Sequence, residues 1–394
     1  MGIKINQNLN KITEQAELPV ILDLNKKNHL RMLKKLVAQK KIQKTVDDYR
    51  EQLFELFCIN NPSLIFSSEL QKKFELYLTK LTNTNGDLRL HGKWIYYPWL
   101  YAIVHLLSEK DFQKVRTARN RELISEKEQE QFYNSTIGIG GLSVGNNIIL
   151  SIVLQGGGKN IKLADFDRFA LSNMNRVRVG IENLGLSKVD ITARQIFQIN
   201  PYTIIEKFPQ GLNEKNINKF FRGLDIVIDE LDNIEIKLLV RENAKKYKLP
   251  VVMGADDGDN AVVDIERYDK SPNPKFFHGR MGKITKKKLT HLDKMGIGRM
   301  ITKHIGPENI PVRLQQSLMS IGKTIVSWPQ LGGAAMLNGV AVSYCVRNIL
   351  NKQPLKSNRA IISLDEELLP KKSWNREQNI QKKHLPKLKR FLGL

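Results

Sequence analysis

A glycine-rich turn between an apolar run and an amphipathic segment constrains this chain more than any other feature. The pattern predicts a strand at Thr136–Ile139, a turn at Gly140–Gly145 and a helix at Asn146–Leu154. Gly138 and Gly140 allow the backbone to turn tightly and to approach a phosphate. The start of the helix behind them offers free N–H groups and the positive end of a dipole. This stretch therefore predicts a nucleotide-binding strand–turn–helix unit.

Charged residues after the second predicted strand narrow the choice of nucleotide. That strand, Ile161–Ala164, ends at Asp165, about 20 residues beyond the glycine turn, where a carboxylate typically holds a ribose hydroxyl. Arg176 and Lys188 follow. Two cations at this place suit a triphosphate better than a nicotinamide dinucleotide, because phosphate oxygens accept charge-assisted hydrogen bonds from them.

Four motifs, taken in chain order, carry a resemblance to a known family. They are GxGG from Gly138, DFD followed by SNxNR over Asp165–Arg176, GxxK at Gly185–Lys188, and Asp232-Asn233 after the apolar run Asp225–Asp229. The series resembles the ThiF/MoeB/HesA family of ATP-dependent adenylating enzymes, which are relatives of ubiquitin-activating enzymes. The resemblance covers roughly residues 116 to 350.

The fold class follows from the alternation of elements and from the resemblance together. Predicted strands and helices alternate through this region, which favours a parallel sheet covered on both faces. We therefore expect an α/β, Rossmann-like, doubly wound, mostly parallel sheet with helices on both faces, preceded by a mainly helical N-terminal extension. Ligands of such sheets bind outside the carboxyl ends of the strands, where the motifs fall.

The resemblance also implies a reaction and a set of site residues. A substrate carboxylate would attack the α-phosphate of ATP and release pyrophosphate. Asp232 would hold Mg²⁺, and an arginine ahead of the first strand, Arg121 or alternatively Arg119, would reach across a homodimer to the partner's phosphates. The catalytic residues would be Arg121, Arg176, Lys188 and Asp232, and the ATP-binding residues Gly138, Gly140, Gly141, Asp165, Asn173, Arg176 and Lys188.

Cysteine usage departs from the family pattern. The two cysteines, Cys58 and Cys345, are far apart, and no cysteine lies between them. A thioester to a cysteine of the usual loop and a thiolate zinc site are therefore excluded, and we expect no zinc. The acceptor is expected to be a carboxylate-bearing carrier protein, peptide or tRNA nucleoside.

The net charge of +23 is the most pronounced feature of the composition. Such a chain attracts polyanions, although a lysine-rich solvated surface gives the same charge. The basic residues cluster at Lys286–Lys288 and between Lys371 and Arg390. Nucleic acid is thus a possible partner, and a tRNA threonylcarbamoyladenosine dehydratase is the alternative function. Two further alternatives are an NAD-binding oxidoreductase, which explains Gly138, Gly140 and Asp165 equally well, and a non-catalytic nucleotide-binding module.

The sequence also predicts how the chain divides into segments and where in the cell the protein is located. Residues 1–115 are expected to form the N-terminal extension, 116–350 the adenylation domain, and 351–394 a linker and basic tail in which Pro386 interrupts any helix. Asp256–Asp259 is expected to be a solvated turn. No apolar run reaches the about 18 residues of a membrane span, and Met1–Asn6 lacks a signal-peptide core, so we expect a cytoplasmic protein.

Overall fold

A computed structural model describes residues 18–271 and 274–394 of the chain. The expectation of no signal peptide, which concerns Met1–Asn6, lies outside the described residues. The chain forms two compact units. The first comprises the residues up to Glu126 together with Ile196–Tyr202, and the second comprises Lys127–Gln195 and Thr203–Leu394.

The first unit combines helices with a mixed sheet. Its elements are β1 (Val20–Leu22), α1 (Lys27–Ala38), β2 (Lys44–Asp47), α2 (Tyr49–Asn60), α3 (Leu70–Asn85), β3 (Lys93–Tyr97), β4 (Ala102–Leu106) and α4 (Glu109–Arg116). Among the described residues the strands form a four-stranded sheet of order β1-β3-β4-β2. β3 is antiparallel to β1 and β4, and β2 is parallel to β4.

Two sequence expectations for this unit are wrong in detail. The residues Val46, Tyr49, Leu53, Leu56 and Phe57 fall at helical spacing and predict a helix that includes Val46. Val46 instead pairs with Val104 in the sheet, and the helix starts at Tyr49. The polar stretch Asn83–Asp87, which contains Asn85-Gly86, predicts a turn. The turn begins later than that, since α3 continues to Asn85 and ends at Gly86, whose φ of +76° is readily adopted only by glycine.

The second unit is the expected α/β sheet. It begins with α5 (Glu126–Asn134), β5 (Thr136–Gly140), α6 (Val144–Leu154), β6 (Asn160–Ala164), α7 (Lys188–Ile199), β7 (Ile204–Phe208), α8 (Ile217–Phe221), β8 (Ile226–Asp229), α9 (Ile234–Tyr247), β9 (Pro250–Asp257) and β10 (Asn260–Arg267). It ends with α10 (Lys286–Thr290), α11 (Lys294–Ile305), α12 (Val312–Leu318), α13 (Gly332–Leu350), β11 (Arg359–Ile362), α14 (Leu364–Leu368) and α15 (Lys371–Leu392).

The sheet of this unit has the order β11-β10-β9-β8-β5-β6-β7, seven strands within the part of the chain that is described. The strands from β7 to β9 are parallel, and β10 and β11 are antiparallel. Ile226, Val227 and Ile228 of β8 are all fully buried. Because successive side chains of a strand point to opposite faces, this burial requires cover on both faces, and the predicted fold class is confirmed.

The C-terminal segment differs from the expected linker and tail. β11 is the edge strand of the main sheet, and α15 runs through Pro386 without a break. Leu388 and Leu392 of α15 are buried in a cluster that includes Ile310 and Leu314. The apolar stripe therefore holds the helix against the sheet unit, which offsets the hydrogen bond lost at the proline. Within the described residues, the helices lack the length and apolar character needed to cross a bilayer.

Candidate nucleotide-binding site

The glycine turn after β5 is held by the end of β8 beneath it. Gly141 has a φ of +88°, and a Cβ there would lie 2.1 Å from the carbonyl oxygen of Glu230. Its own N–H donates to the carbonyl oxygen of Ala164 (2.9 Å). Both the backbone conformation and the close contact therefore require glycine at this position.

The neighbouring glycines serve packing more than phosphate contact. A Cβ on Gly138 would lie 2.6 Å from Leu224 Cδ1 inside the core, so this predicted ATP-binding residue faces the core. A Cβ on Gly140 would approach the side chain of Leu231 to 3.1 Å. Gly145, which the sequence analysis did not single out, brings α6 against β5, because a Cβ there would lie 2.9 Å from Ile139 Cδ1.

Asp165 is buried, and its carboxylate is hydrogen-bonded to the backbone of the glycine turn. Its Oδ2 accepts the Leu142 N–H (2.7 Å) and its Oδ1 accepts the Asp167 N–H (2.7 Å). Burial raises the pKa of Asp165 above its ordinary value, although these two hydrogen bonds and the charge of Lys188 oppose the rise. The carboxylate predicted to grip a ribose is thus engaged with the backbone of the glycine turn.

Asp167 is better placed than Asp165 to bind a ribose hydroxyl, although it was not among the predicted site residues. Its side chain is 45% exposed, and its Oδ2 accepts from Lys188 Nζ (2.7 Å). Lys188 is 6% exposed and also donates to the Oγ of Ser143 in the glycine turn (3.2 Å). Asp167 is the second carboxylate of the DFD motif, so the motif itself offered it as a candidate for the ribose contact. Lys188, Asp167 and the glycine turn therefore form one cluster at the carboxyl ends of β5 and β6.

Asn173 and Arg176 shape the loop between β6 and α7. The buried Asn173 accepts the Ala170 N–H through its side-chain oxygen (3.0 Å), which closes a short 3₁₀ turn. Arg176 donates to the carbonyl oxygen of Ser172 (3.1 Å) and to Asn175 Oδ1 (2.9 Å). Within the described residues, the buried Nε of Arg176 has no hydrogen-bond partner, so the guanidinium retains donor capacity for a ligand.

Asp256 connects this loop to the start of α13. Its carboxylate accepts from Asn338 Nδ2 (2.7 Å) and from Gln330 Nε2 (3.3 Å), and the Gln330 carbonyl oxygen accepts from Asn175 Nδ2 (2.7 Å). Burial raises the pKa of Asp256 to about 6, while the Asn338 hydrogen bond and the charge of Arg176 lower it. The expectation of a solvated turn at Asp256–Asp259 is wrong for its first two residues, because β9 and β10 pair up to Asp257 and bury both carboxylates.

A buried ion network fixes the end of β8, from which Asp232 emerges. Asp229 is buried and accepts from Arg241 and from Lys237 Nζ (3.3 Å). Arg241 Nε also donates to Glu266 (2.8 Å). Burial alone would raise the pKa of Asp229, but the charges of Lys237 and Arg241 hold it below its ordinary value. The chain leaves the sheet at a rigid point, because breaking a buried pair of this kind costs about 3–5 kcal/mol.

The predicted metal ligand and the predicted arginine finger are both exposed. Asp232 lies in the loop between β8 and α9. Within residues 18–271 and 274–394, no group of three or more His, Cys, Asp or Glu side chains is arranged to hold a metal ion. Mg²⁺ that is bound mainly through substrate phosphates needs only one or two carboxylates, so Asp232 fits that role chemically. Arg121 follows the 3₁₀ turn Ala118–Asn120 in the first unit, and its role stays a prediction.

Comparisons with known proteins agree with the geometry of the sheet unit. The model of the ThiF family matches residues 117–322. This chain therefore belongs to the ThiF family.

The relatives differ in how much of each chain is shared. An uncharacterized protein of Mycobacterium tuberculosis is 33% identical over 323 residues, 82% of this chain and 45% of that protein. The molybdopterin-synthase adenylyltransferase of Haemophilus influenzae is 27% identical over 212 residues, 52% of this chain and 81% of that enzyme. The tRNA threonylcarbamoyladenosine dehydratase of Bacillus subtilis is 27% identical over 174 residues, 42% of this chain and 68% of that enzyme. This chain thus spans less than half the length of the M. tuberculosis relative.

Proposed function

We propose that this protein is an ATP-dependent adenylyltransferase that activates a carboxylate. The observation that carries the proposal is the position of Lys188, which joins the glycine turn to the half-exposed Asp167. A dinucleotide-binding unit needs the turn and one carboxylate, whereas a buried cation at the turn suits a nucleoside triphosphate. Membership of a family whose named relatives include adenylyltransferases supports the same activity.

The site residues suit attack at the α-phosphate. A substrate carboxylate oxygen would form a bond to the α-phosphorus, and the bond to the bridging oxygen would break with release of pyrophosphate. The difficulty is electrostatic, because two anions meet while negative charge grows on the leaving group. Lys188 and Arg176 would offset that charge, Asp167 would hold the ribose, and the turn around Gly141 would lie along the phosphates. Mg²⁺ would supply further charge neutralisation, held by Asp232.

The nucleophile that accepts the activated acyl group would come from the second substrate. Cys345 is buried, and burial raises the pKa of its thiol to about 11. A thiol in that state is a poor nucleophile at neutral pH. Cys345 is therefore not that nucleophile. The carboxylate that is activated would belong to a carrier protein, a peptide or a modified tRNA nucleoside.

Exchange of labelled pyrophosphate into ATP tests the activity. The assay would offer three carboxylates separately: a carrier protein ending in Gly-Gly, a short peptide, and tRNA bearing threonylcarbamoyladenosine. We expect one of them to support exchange, and we expect Asp232→Asn to reduce it by about 10-fold or more, because charge stabilisation by a bound metal ion is worth several kcal/mol. Asp225→Asn is the matched control, because Asp225 precedes the same strand at its opposite end. Equal exchange in both variants would refute the metal assignment, and binding of NADH without competition by ATP would refute the adenylation site.

A tRNA threonylcarbamoyladenosine dehydratase is the second candidate function. Its support is the 27% identity to the B. subtilis enzyme of that name, together with the net charge of +23. That reaction would activate a carboxylate on tRNA, and it can be written without a thioester intermediate. In the assay above, exchange with the modified tRNA alone would select this candidate.

The active form would be a homodimer with two composite sites. Arg121 precedes the strand that leads into the glycine turn, and in this arrangement its guanidinium would be supplied by the partner protomer. It would add a third cation to Lys188 and Arg176 at the phosphates. ATP, Mg²⁺ and a carboxylate-bearing acceptor are the partners that this function requires.

A further inference from the structure

One face of α15 carries five cations in a single line, and we call this line the basic face. It consists of Lys372, Arg376, Lys383, Lys387 and Arg390, all of which are exposed. Successive members are separated by four, seven, four and three residues, so they lie on the same side of an α-helix. At 1.5 Å per residue the line is about 27 Å long.

The opposite side of α15 is fixed to the protein. Leu388 and Leu392 are buried there, and Gln381 Nε2 donates to the carbonyl oxygens of Glu308 (3.1 Å) and Ile310 (2.8 Å). The apolar side of the helix is therefore already used within the protein. As a result, the basic face points outward from a rigid support.

The charges of the basic face are not neutralised by neighbouring residues. None of its five members forms an ion pair within the part of the chain that the structure describes. The other basic cluster of the sequence, Lys286–Lys288, behaves differently, because Lys286 forms an ion pair with Glu214. Five exposed cations in a line cost free energy through mutual repulsion, and a bound polyanion would remove that cost.

We propose that the basic face of α15 is the docking surface for the phosphate backbone of RNA. The proposal rests on the tRNA candidate function, and it extends that function to an element outside the segment that the family model matches. The five cations are spread over about 27 Å, and the phosphates of a duplex follow one another more closely than that along its axis, so each cation can lie near a phosphate. An anionic bilayer is a poorer match, because the apolar side of the helix is buried and has nothing to insert.

Binding of a fluorescent 24-base-pair RNA duplex to the full chain tests the proposal. The test variant replaces Lys372, Arg376, Lys383, Lys387 and Arg390 by glutamine. The control variant replaces five exposed lysines of the first unit by glutamine: Lys26, Lys27, Lys34, Lys35 and Lys41. Both variants lower the net charge of +23 by the same five charges, so only the position of the lost cations differs.

The salt dependence of binding gives the readout. Each lost phosphate contact lowers the slope of log K against log salt by about 0.7 to 0.9, so we expect the test variant to be shallower by about 3.5 to 4.5. The control variant should keep the slope of the wild type. Equal changes in both variants would refute the proposal, because binding would then follow net charge alone. The proposal also fails if RNA affinity is equal in all three proteins while only the test variant loses binding to phosphatidylserine vesicles.

Pyrophosphate exchange, measured at a saturating concentration of whichever of the three carboxylates supports it, separates this proposal from the adenylation activity. The basic face lies outside the nucleotide site, so the test variant should keep full exchange. Loss of RNA binding with retained exchange would support the docking surface. Absence of exchange in the wild type with all three carboxylates would refute the proposed activity and leave the RNA-binding result standing.

Discussion

Replacing Gly141 by alanine is the most direct test of how the nucleotide site is built. An added Cβ would lie 2.1 Å from the carbonyl oxygen of Glu230 and 2.4 Å from its carbonyl carbon. These are main-chain atoms at the end of β8, so no rotation of a side chain can relieve the contact. A normal contact requires a backbone shift of more than about 1 Å, which we estimate at about 1–3 kcal/mol from the cost of overpacking.

The backbone conformation adds a second penalty. Gly141 has a φ of +88°, and a residue with a Cβ in the left-handed region costs about 1–2 kcal/mol. Gly223 isolates this contribution, because its φ is +75° and an added Cβ would meet no atom within 4 Å. We therefore expect Gly223→Ala to lower the free energy of unfolding by about 1–2 kcal/mol, and Gly141→Ala to lower it by about 2–5 kcal/mol.

Urea unfolding and titration with a fluorescent ATP analogue measure the two effects. The shift at Gly141 would displace the Leu142 N–H from Asp165, so we expect affinity for the analogue to fall. The rate of pyrophosphate exchange should fall on the order of 100-fold, because a displacement of about 1 Å misaligns the reacting groups. Gly223→Ala should leave nucleotide affinity unchanged. Equal destabilisation of the two variants, with unchanged affinity in both, would refute the close contact between the turn and β8.

Two further predictions concern a buried carboxyl group and the composite site. Burial and the charge of Asp365 raise the pKa of Asp257 to about 7, while the charge of Arg359 lowers it. Because the folded protein holds this proton more tightly than the unfolded chain, the stability contributed by protonated Asp257 is fully present below about pH 4 and is lost as the pH rises to about 7. Asp257→Asn should raise the free energy of unfolding at pH 8 by up to about 4 kcal/mol, and this gain over the wild type should vanish near pH 4. A gain that is independent of pH would contradict the raised pKa of Asp257. For the dimer, mixing inactive Arg121→Ala and Asp232→Ala protomers should restore part of the pyrophosphate exchange, because one site of each mixed dimer keeps both groups. A wild-type monomer that is active at high dilution would disprove the composite site.

The local pattern of the sequence was sufficient for the sheet and for the order of its motifs. The alternation of apolar runs with amphipathic segments predicted the strands Thr136–Ile139 and Ile161–Ala164 and the helix Asn146–Leu154. These are β5, β6 and α6, whose observed bounds differ from the predicted ones by at most two residues. These predictions hold because a parallel strand buried on both faces must be apolar throughout, and the covering helices must be amphipathic. Such patterns are recorded in consecutive residues and need no knowledge of distant contacts.

The division of roles among the site residues was decided by the tertiary structure. Asp165 and Asp167 are equivalent in the sequence, but the first is buried under the Leu142 N–H and the second is left half-exposed beside Lys188. Gly138 and Gly145 likewise differ from Gly141 only through the atoms that surround them. Which of two similar residues meets solvent depends on strand register and on the helix packed above them.

The same reason explains Asp256, Asp257 and α15. Two consecutive acids before a glycine are typical of a solvated turn, yet the pairing of β9 with β10 takes both into the interior. A proline in a lysine-rich tail is typical of a helix break, yet the burial of Leu388 against residues some 75 positions earlier stabilises the helix through Pro386. The sequence by itself determined the family, the sheet and the identity of the charged groups. Only the tertiary structure decided which of those charges are buried and which face solvent, because burial arises from contacts between segments that are distant in the chain.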